Sequence, residues 1–176
     1  MLTDQDSTKL GVPPAFKDRY VVRVIEPKFG LSKKDNPMIT LQLEVVGVPV
    51  GNKIVPIVQR GNQSWQVAGL RTNAVYLTLK AGPALGRVLD FHEMIGLPRT
   101  VDETNPPIQE YNGKVLEAIL TSEESIQRKA LTPEDVAAGK TVGDPILDND
   151  GKEIKSVRAS LVQFLCLWRG EEPAGF

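Results

Sequence analysis

Residues 19–46 read RYVVRVIEPKFGLSKKDNPMITLQLEVV, and this stretch decides the fold. From Pro37 to Val46 the apolar residues Ile39, Leu41, Leu43 and Val45 alternate with Met38, Thr40, Gln42 and Glu44. Successive side chains of a strand point to opposite faces, so a period of two marks a strand with one face buried and one in solvent. Arg19–Glu26 is a second β-rich run, heavy in valine. Between the two runs, Gly30 and Asp35-Asn36 are turn formers. The stretch therefore predicts a long hairpin whose tip carries Lys28, Lys33 and Lys34.

Further strands are expected on either side of a single helix. Lys53–Val58 follows a Gly51-Asn52 turn, and Pro56 within it marks an edge or a bulge. A polar stretch, QRGNQSWQVAG, runs from 59 to 69, and Val75–Lys80 alternates again. Pro83 opens a helix in which Leu85, Val88, Phe91 or His92, and Ile95 recur at helical spacing, with Gly96 and Pro98 ending it. Residues 99–112 read as a loop, Lys114–Thr121 and Ser156–Trp168 as strands. Residues 122–155 read as an insertion with a short capped helix from Thr132 and a turn at Asp148-Asn149-Asp150-Gly151. Residues 1–16 read as an arm without period, and 169–176 as an acidic tail ending in Phe176. The order is that of a mainly β, OB-fold-like five-stranded barrel with one helix between strands and an inserted α/loop segment, spanning residues 17–168.

Composition limits the chemistry. The chain has 176 residues, enough for one domain with its own core. No apolar run approaches the roughly 20 residues of a membrane helix, and the N-terminus lacks the apolar stretch of a signal peptide. A single cysteine, Cys166, rules out an internal disulfide, and a reducing, cytoplasmic setting is expected. With one histidine, His92, there is no material for a Cys/His zinc site and little for a nucleophile and base. Both residues read as packing groups within apolar periods. Asp148, Asp150 and Glu153 fail calcium-loop spacing, because Ile146 and Val157 would fall where an Asp and a Glu are needed. No enzyme activity, cofactor or metal is expected.

The net charge of −1 conceals an asymmetry. Residues 17–99 hold twelve Lys/Arg against six Asp/Glu, and residues 100–176 hold eight against fourteen. Such halves suit a polyanion ligand, although charges also cluster on ordinary solvated faces. Binders of single strands set cations along phosphates and aromatic rings under bases. The candidates are Arg19, Arg23, Lys28, Lys33, Lys34, Lys53, Arg60, Arg71 and Lys80, with Phe29, Trp65 and Tyr76 as rings. Each ring has a plainer reading: Phe29 packed back on the sheet, Trp65 plugging a long loop, Tyr76 in a cross-strand pair. Glu171, Glu172 and Phe176 form either a partner-captured tip or a frayed end.

The hairpin above resembles the single-stranded DNA-binding proteins of tailed bacteriophages. The likeness continues in LRTNAVYLTLKAGPALGRVLDFHEMIGLP (70–98) and in NPPIQEYNGKVLEAIL (105–120), and it covers most of residues 17–168. It implies an OB fold that coats single-stranded DNA in replication or recombination, without sequence preference. It also implies a tail that recruits replication or recombination proteins, although this tail has only two acids and Ala174-Gly175 before Phe176. The insertion 122–155 and the acidic half are further expected either to mediate self-association or to shield the groove. The rival readings are a virion or assembly protein with a β-barrel and, more remotely, a metal-dependent nuclease using the acidic half.

Overall fold

The computed structural model describes residues 8–10 and 17–173. Its body is a six-stranded antiparallel sheet. β2 (Lys17–Leu31) and β3 (Pro37–Val50) form the long hairpin, closed by a turn in which Ser32 accepts from the backbone of Lys34 and Asn36. β8 (Val115–Ile126) pairs with the first half of β2, and β9 (Lys155–Leu167) pairs with β8. On the other side of the hairpin, β7 (Val75–Thr78) pairs with the first part of β3, while β4 (Lys53–Val55) folds back on its end. A smaller sheet joins β5 (Ile57–Arg60), β6 (Gln63–Gln66) and β1 (Thr8–Leu10), with β1 parallel to β6.

The alternation read from Pro37–Val46 holds. Ile39, Leu41, Leu43 and Val45 are fully buried and meet Tyr20, Val22 and Val24 of β2, Leu77 of β7, and Leu116, Ala118 and Leu120 of β8. Burying each such aliphatic side chain contributes about 1.5–3 kcal/mol, so this face dominates the stability of the fold. Helix α1 (Pro83–Met94) covers it with Val88, Phe91 and His92. A one-turn helix, α2 (Ile108–Tyr111), adds Tyr111, whose ring meets Phe91 edge to face at 5.4 Å. His92 is a core group: Nδ1 faces the carbonyl of Pro98 at 3.1 Å and Nε2 faces the Tyr111 hydroxyl. A carbonyl only accepts, so Nδ1 carries a proton toward Pro98, and Nε2 and the Tyr111 hydroxyl share the second hydrogen bond. Burial pushes the Tyr111 hydroxyl up to about 12.

The sheet does not close into a barrel, which corrects the five-stranded barrel read from element order. Residues 69–72 run along β3, and then the backbone N–H of Asn73 crosses to the carbonyl of Ala159 at 2.9 Å. Beyond that bond β7 and β9 diverge, and α1 lies behind the gap.

Other boundaries move as well. The arm contributes β1, and the polar stretch 59–69 is the β5–β6 hairpin, turned at Gly61-Asn62. Lys53–Val58 splits at Pro56 into two strands in different sheets. β8 and β9 continue as a two-stranded arm, Ser122–Ile126 against Lys155–Ala159, so the inserted lobe narrows to 127–154. That lobe holds α3 (Pro133–Ala137), whose Thr132 and Asp135 cap each other reciprocally. Asp148 accepts from the backbone of Asp150 and Lys152, as a turn does. Cys166 is exposed rather than buried: it faces Glu117 on the outer side of the sheet and donates to its carboxylate at 2.9 Å. No helix among the described residues is long and apolar enough to cross a membrane.

Candidate nucleic-acid interface

Residues opposed across an antiparallel ladder point to the same side of the sheet. On the side away from the core, Lys28, Thr40 and Tyr76 lie in one row across β2, β3 and β7. Strands are about 4.8 Å apart, so the two ends of the row are separated by about 10 Å. A second row sets Arg23 of β2 against Glu44 of β3, and Glu44 against Arg71. Gln42 lies between the rows and donates its side-chain amide to the carbonyl of Thr72. Lys80 follows β7 and is exposed. Tyr76 is 62% exposed, well beyond what a packed cross-strand ring shows.

Two carboxylates interrupt this basic face. Glu26 occupies a bulge in β2, with φ of 48°, and its carboxylate is 3.5 Å from Arg71. Both partners are more than half exposed. Such a pair is worth about 0–1 kcal/mol, so Arg71 can exchange Glu26 for another anion at small cost.

The gap between β7 and β9 adjoins this face. It forms a cleft of about 610 Å³ bordered by Tyr76 and Arg87 on one flank and Gln163 on the other, with Phe91, Met94 and Phe164 behind. Phe91 and Phe164 are 5.2 Å apart between ring centroids. Two acids border the cleft as well, and both are engaged. Asp90 accepts from Arg99 at 2.8 Å, and Glu123 accepts from Asn73 and Ser160. Neither Arg87 nor Gln163 carries a local sequence signal, since only tertiary packing places them beside Tyr76.

The remaining candidates from the sequence are dispersed. Lys33 and Lys34 are exposed at the hairpin tip, beyond the row of Lys28. Phe29 does not share a side with Lys28: it opposes Ile39, which opposes Leu77, so its ring extends the rim of the core face. Trp65 is half-buried and packs against the core. It opposes buried Val58, and the polar residues around it face outward. Arg60 is engaged by Asp18 at 2.7 Å at the start of β2, ten residues from Lys28. Arg19 lies toward β8, 3.5 Å from Glu117, and Lys53 opposes Val50 at the far end of β3.

The tail is anchored where it leaves the body. The Glu171 N–H donates to the Asn52 carbonyl and its carboxylate accepts from Ile54 N–H, both at 2.7 Å, and Trp168 Nε1 donates to the Glu171 carbonyl. A Cβ on Gly170 would lie 2.1 Å from the Trp168 ring and 2.4 Å from the Asn52 oxygen, so only glycine fits there. Glu171 is therefore a clasp between β9 and the β3–β4 turn, not part of a free tip. Glu172 is exposed, and Phe176 lies outside the described residues.

Among the described residues no three His, Cys, Asp or Glu side chains gather as a metal site. The chain matches no protein-family model and no curated protein sequence.

Proposed function

We propose that this protein binds single-stranded DNA without sequence preference, on the outer face of β2, β3 and β7 and in the cleft beside it, and that its body is an OB-type fold. The observation that carries the reading is the row Lys28–Thr40–Tyr76 opening onto the cleft. It puts a cation and an exposed ring within reach of one strand. The strand order β7-β3-β2-β8-β9 supports the fold assignment, as does a helix between β7 and β8. The Asn73–Ala159 bond draws the two ends of that order together. An OB fold is a partly open barrel that binds with the face of its second and third strands and with its first and last long loops. On this reading those strands are β3 and β7, and the loops are the hairpin tip and the lobe 127–154.

Titration with oligo(dT) and with duplex of equal length tests the proposal. With about four phosphate contacts, raising salt from roughly 50 to 200 mM weakens single-strand binding on the order of 50-fold. Duplex binds more weakly, because its bases are already stacked on one another. Tyr76→Ala loses about 1–3 kcal/mol of single-strand affinity, the worth of one stacked base, with an unchanged thermal melt. Equal affinity for both forms, or a Tyr76 variant that binds as wild type, overturns the reading.

A further inference from the structure

The lobe 127–154 is ordered yet has no core. Gly143 is its one buried residue. Backbone bonds fix its shape: Gln127 N–H to Ile154 O, Ile154 N–H to Ile146 O, Ile146 N–H to Gln127 O, and Lys129 N–H to Asp144 O. Arg128 adds a bond to the Gly143 carbonyl, and Lys140 pairs with Asp144 at 2.8 Å. The chain passes so close to itself that a Cβ on Gly143 would lie 1.7 Å from the Lys129 oxygen. Held in this frame, Val136, Val142 and Leu147 are 56–61% exposed, and Leu131 is exposed too. Ordering a segment costs conformational entropy, and apolar burial, the usual offset, is missing inside the lobe. Exposed apolar side chains held on an ordered frame gain that burial against a partner.

Charge and position select the partner. The lobe holds six acids against four bases, and Glu134, Asp150 and Glu153 are exposed. At the other end of the molecule the β2–β3 tip carries Lys28, Lys33 and Lys34 around Leu31, which is 64% exposed. The two features lie off opposite ends of β2. The tip follows its last residue, while Lys17 at its start opposes Thr121, from which β8 runs on five residues to the lobe. A contact between unlike ends of identical chains is heterologous and repeats from copy to copy. Lobe against lobe would bring acids to acids.

We propose that the lobe receives the β2–β3 tip of a second copy of this chain, so that copies associate head to tail. Leu31 packs against exposed apolar side chains of the lobe, Val136, Val142 and Leu147, and Lys33 and Lys34 meet its exposed acids. The contact breaks with salt and needs no DNA.

Two variants test this in sedimentation velocity without nucleic acid. One carries Leu31→Asp, Lys33→Glu and Lys34→Glu. The other carries Val136→Glu, Val142→Glu and Leu147→Glu. All six side chains are exposed, so both proteins should melt as wild type does. A third protein, with 127–154 replaced by an Asn-Gly turn between Ile126 and Lys155, removes the lobe and repeats the test independently of those substitutions. Wild type should sediment faster as concentration rises, and each variant alone should remain a monomer. An equimolar mixture of tip and lobe variants should give a two-chain species and nothing larger, because one partner keeps an intact lobe and the other an intact tip. A monomeric wild type, a tip variant that still self-associates, or a mixture that stays monomeric overturns the proposal. Oligo(dT) titration is a separate measurement, so failure of DNA binding and failure of head-to-tail association are distinguishable.

Discussion

The sheet body and the lobe 127–154 belong to one chain and are built by opposite means. In the body, burial comes first: β2, β3 and β8 place fully buried side chains against α1, and the backbone ladder follows. In the lobe, hydrogen bonds, a capping box and a glycine crossing hold the shape, and apolar side chains are left outside. The difference teaches where each kind of change should act. Side-chain volume governs the body, and polar backbone partners govern the lobe.

The largest expected effect separates the two regions directly. Leu41 is fully buried, and Leu41→Ala should cost about 2–5 kcal/mol of global stability in urea unfolding. Val136 is 61% exposed, and Val136→Ala should stay within about 0.5 kcal/mol. Comparable losses at both positions would mean that the lobe carries a core after all.

Trp65 tests whether the small sheet belongs with the body. Its ring is half-buried against the core, so Trp65→Ala should lower stability by about 1–3 kcal/mol, a fraction of the cost of a fully buried Trp. Its oligo(dT) affinity, measured well below the melt, should hold. Unchanged stability together with lost DNA affinity would return Trp65 to the role of a stacking platform and move the interface onto β5 and β6.

The sequence disclosed what is local. Ile39 to Val45 announced a strand because burial there repeats every second residue, and Pro83 and Gly96 bracketed α1 because proline's fixed φ suits a first turn and glycine takes the left-handed φ of 84° at its end without strain. Thr132 and Asp148 announced a cap and a turn, since each bonds to backbone two to four residues away. The sequence was silent where position depends on remote chain. The β5–β6 hairpin has polar residues on both sides of a short ladder, so no period marks it. Phe29 and Lys28 fall on opposite sides of the sheet as any strand neighbours do, and the bulge at Glu26 decides that Phe29, not Lys28, takes the core side. The cleft joins β7, α1 and β9 across nearly ninety residues, and the sheet stays open because the chain leaves β9 after the Asn73–Ala159 bond.

A smaller effect should stay inside the lobe. Thr132 accepts from Asp135 N–H at 3.2 Å, and Thr132→Ala should cost about 1 kcal/mol of local helix stability. Amides of α3 should exchange faster by the corresponding several-fold, while amides of β2 and β3 keep their protection. A drop in the global melt would show that lobe and body unfold together.

The smallest effect is a pH dependence confined to the same helix. The Asp135 carboxyl accepts from Thr132 N–H at 3.0 Å, and Lys140 stands 3.9 Å away. The Thr132 backbone bond, then the Thr132 hydroxyl, then Lys140 hold this carboxyl below its ordinary value of 3.8. The unfolded lobe therefore binds a proton at a pH where the folded lobe does not. The contribution to lobe stability is fully present above the ordinary carboxyl value and is lost as pH falls through the lowered one. Exchange at α3 amides, corrected for its intrinsic pH dependence and divided by exchange in β3, should be flat near neutrality and rise below about pH 4. Asp135→Asn keeps an acceptor for Thr132 N–H but does not titrate there, so its ratio should lose this step. Retention of the step in the Asn variant would show that Asp135 is not its source.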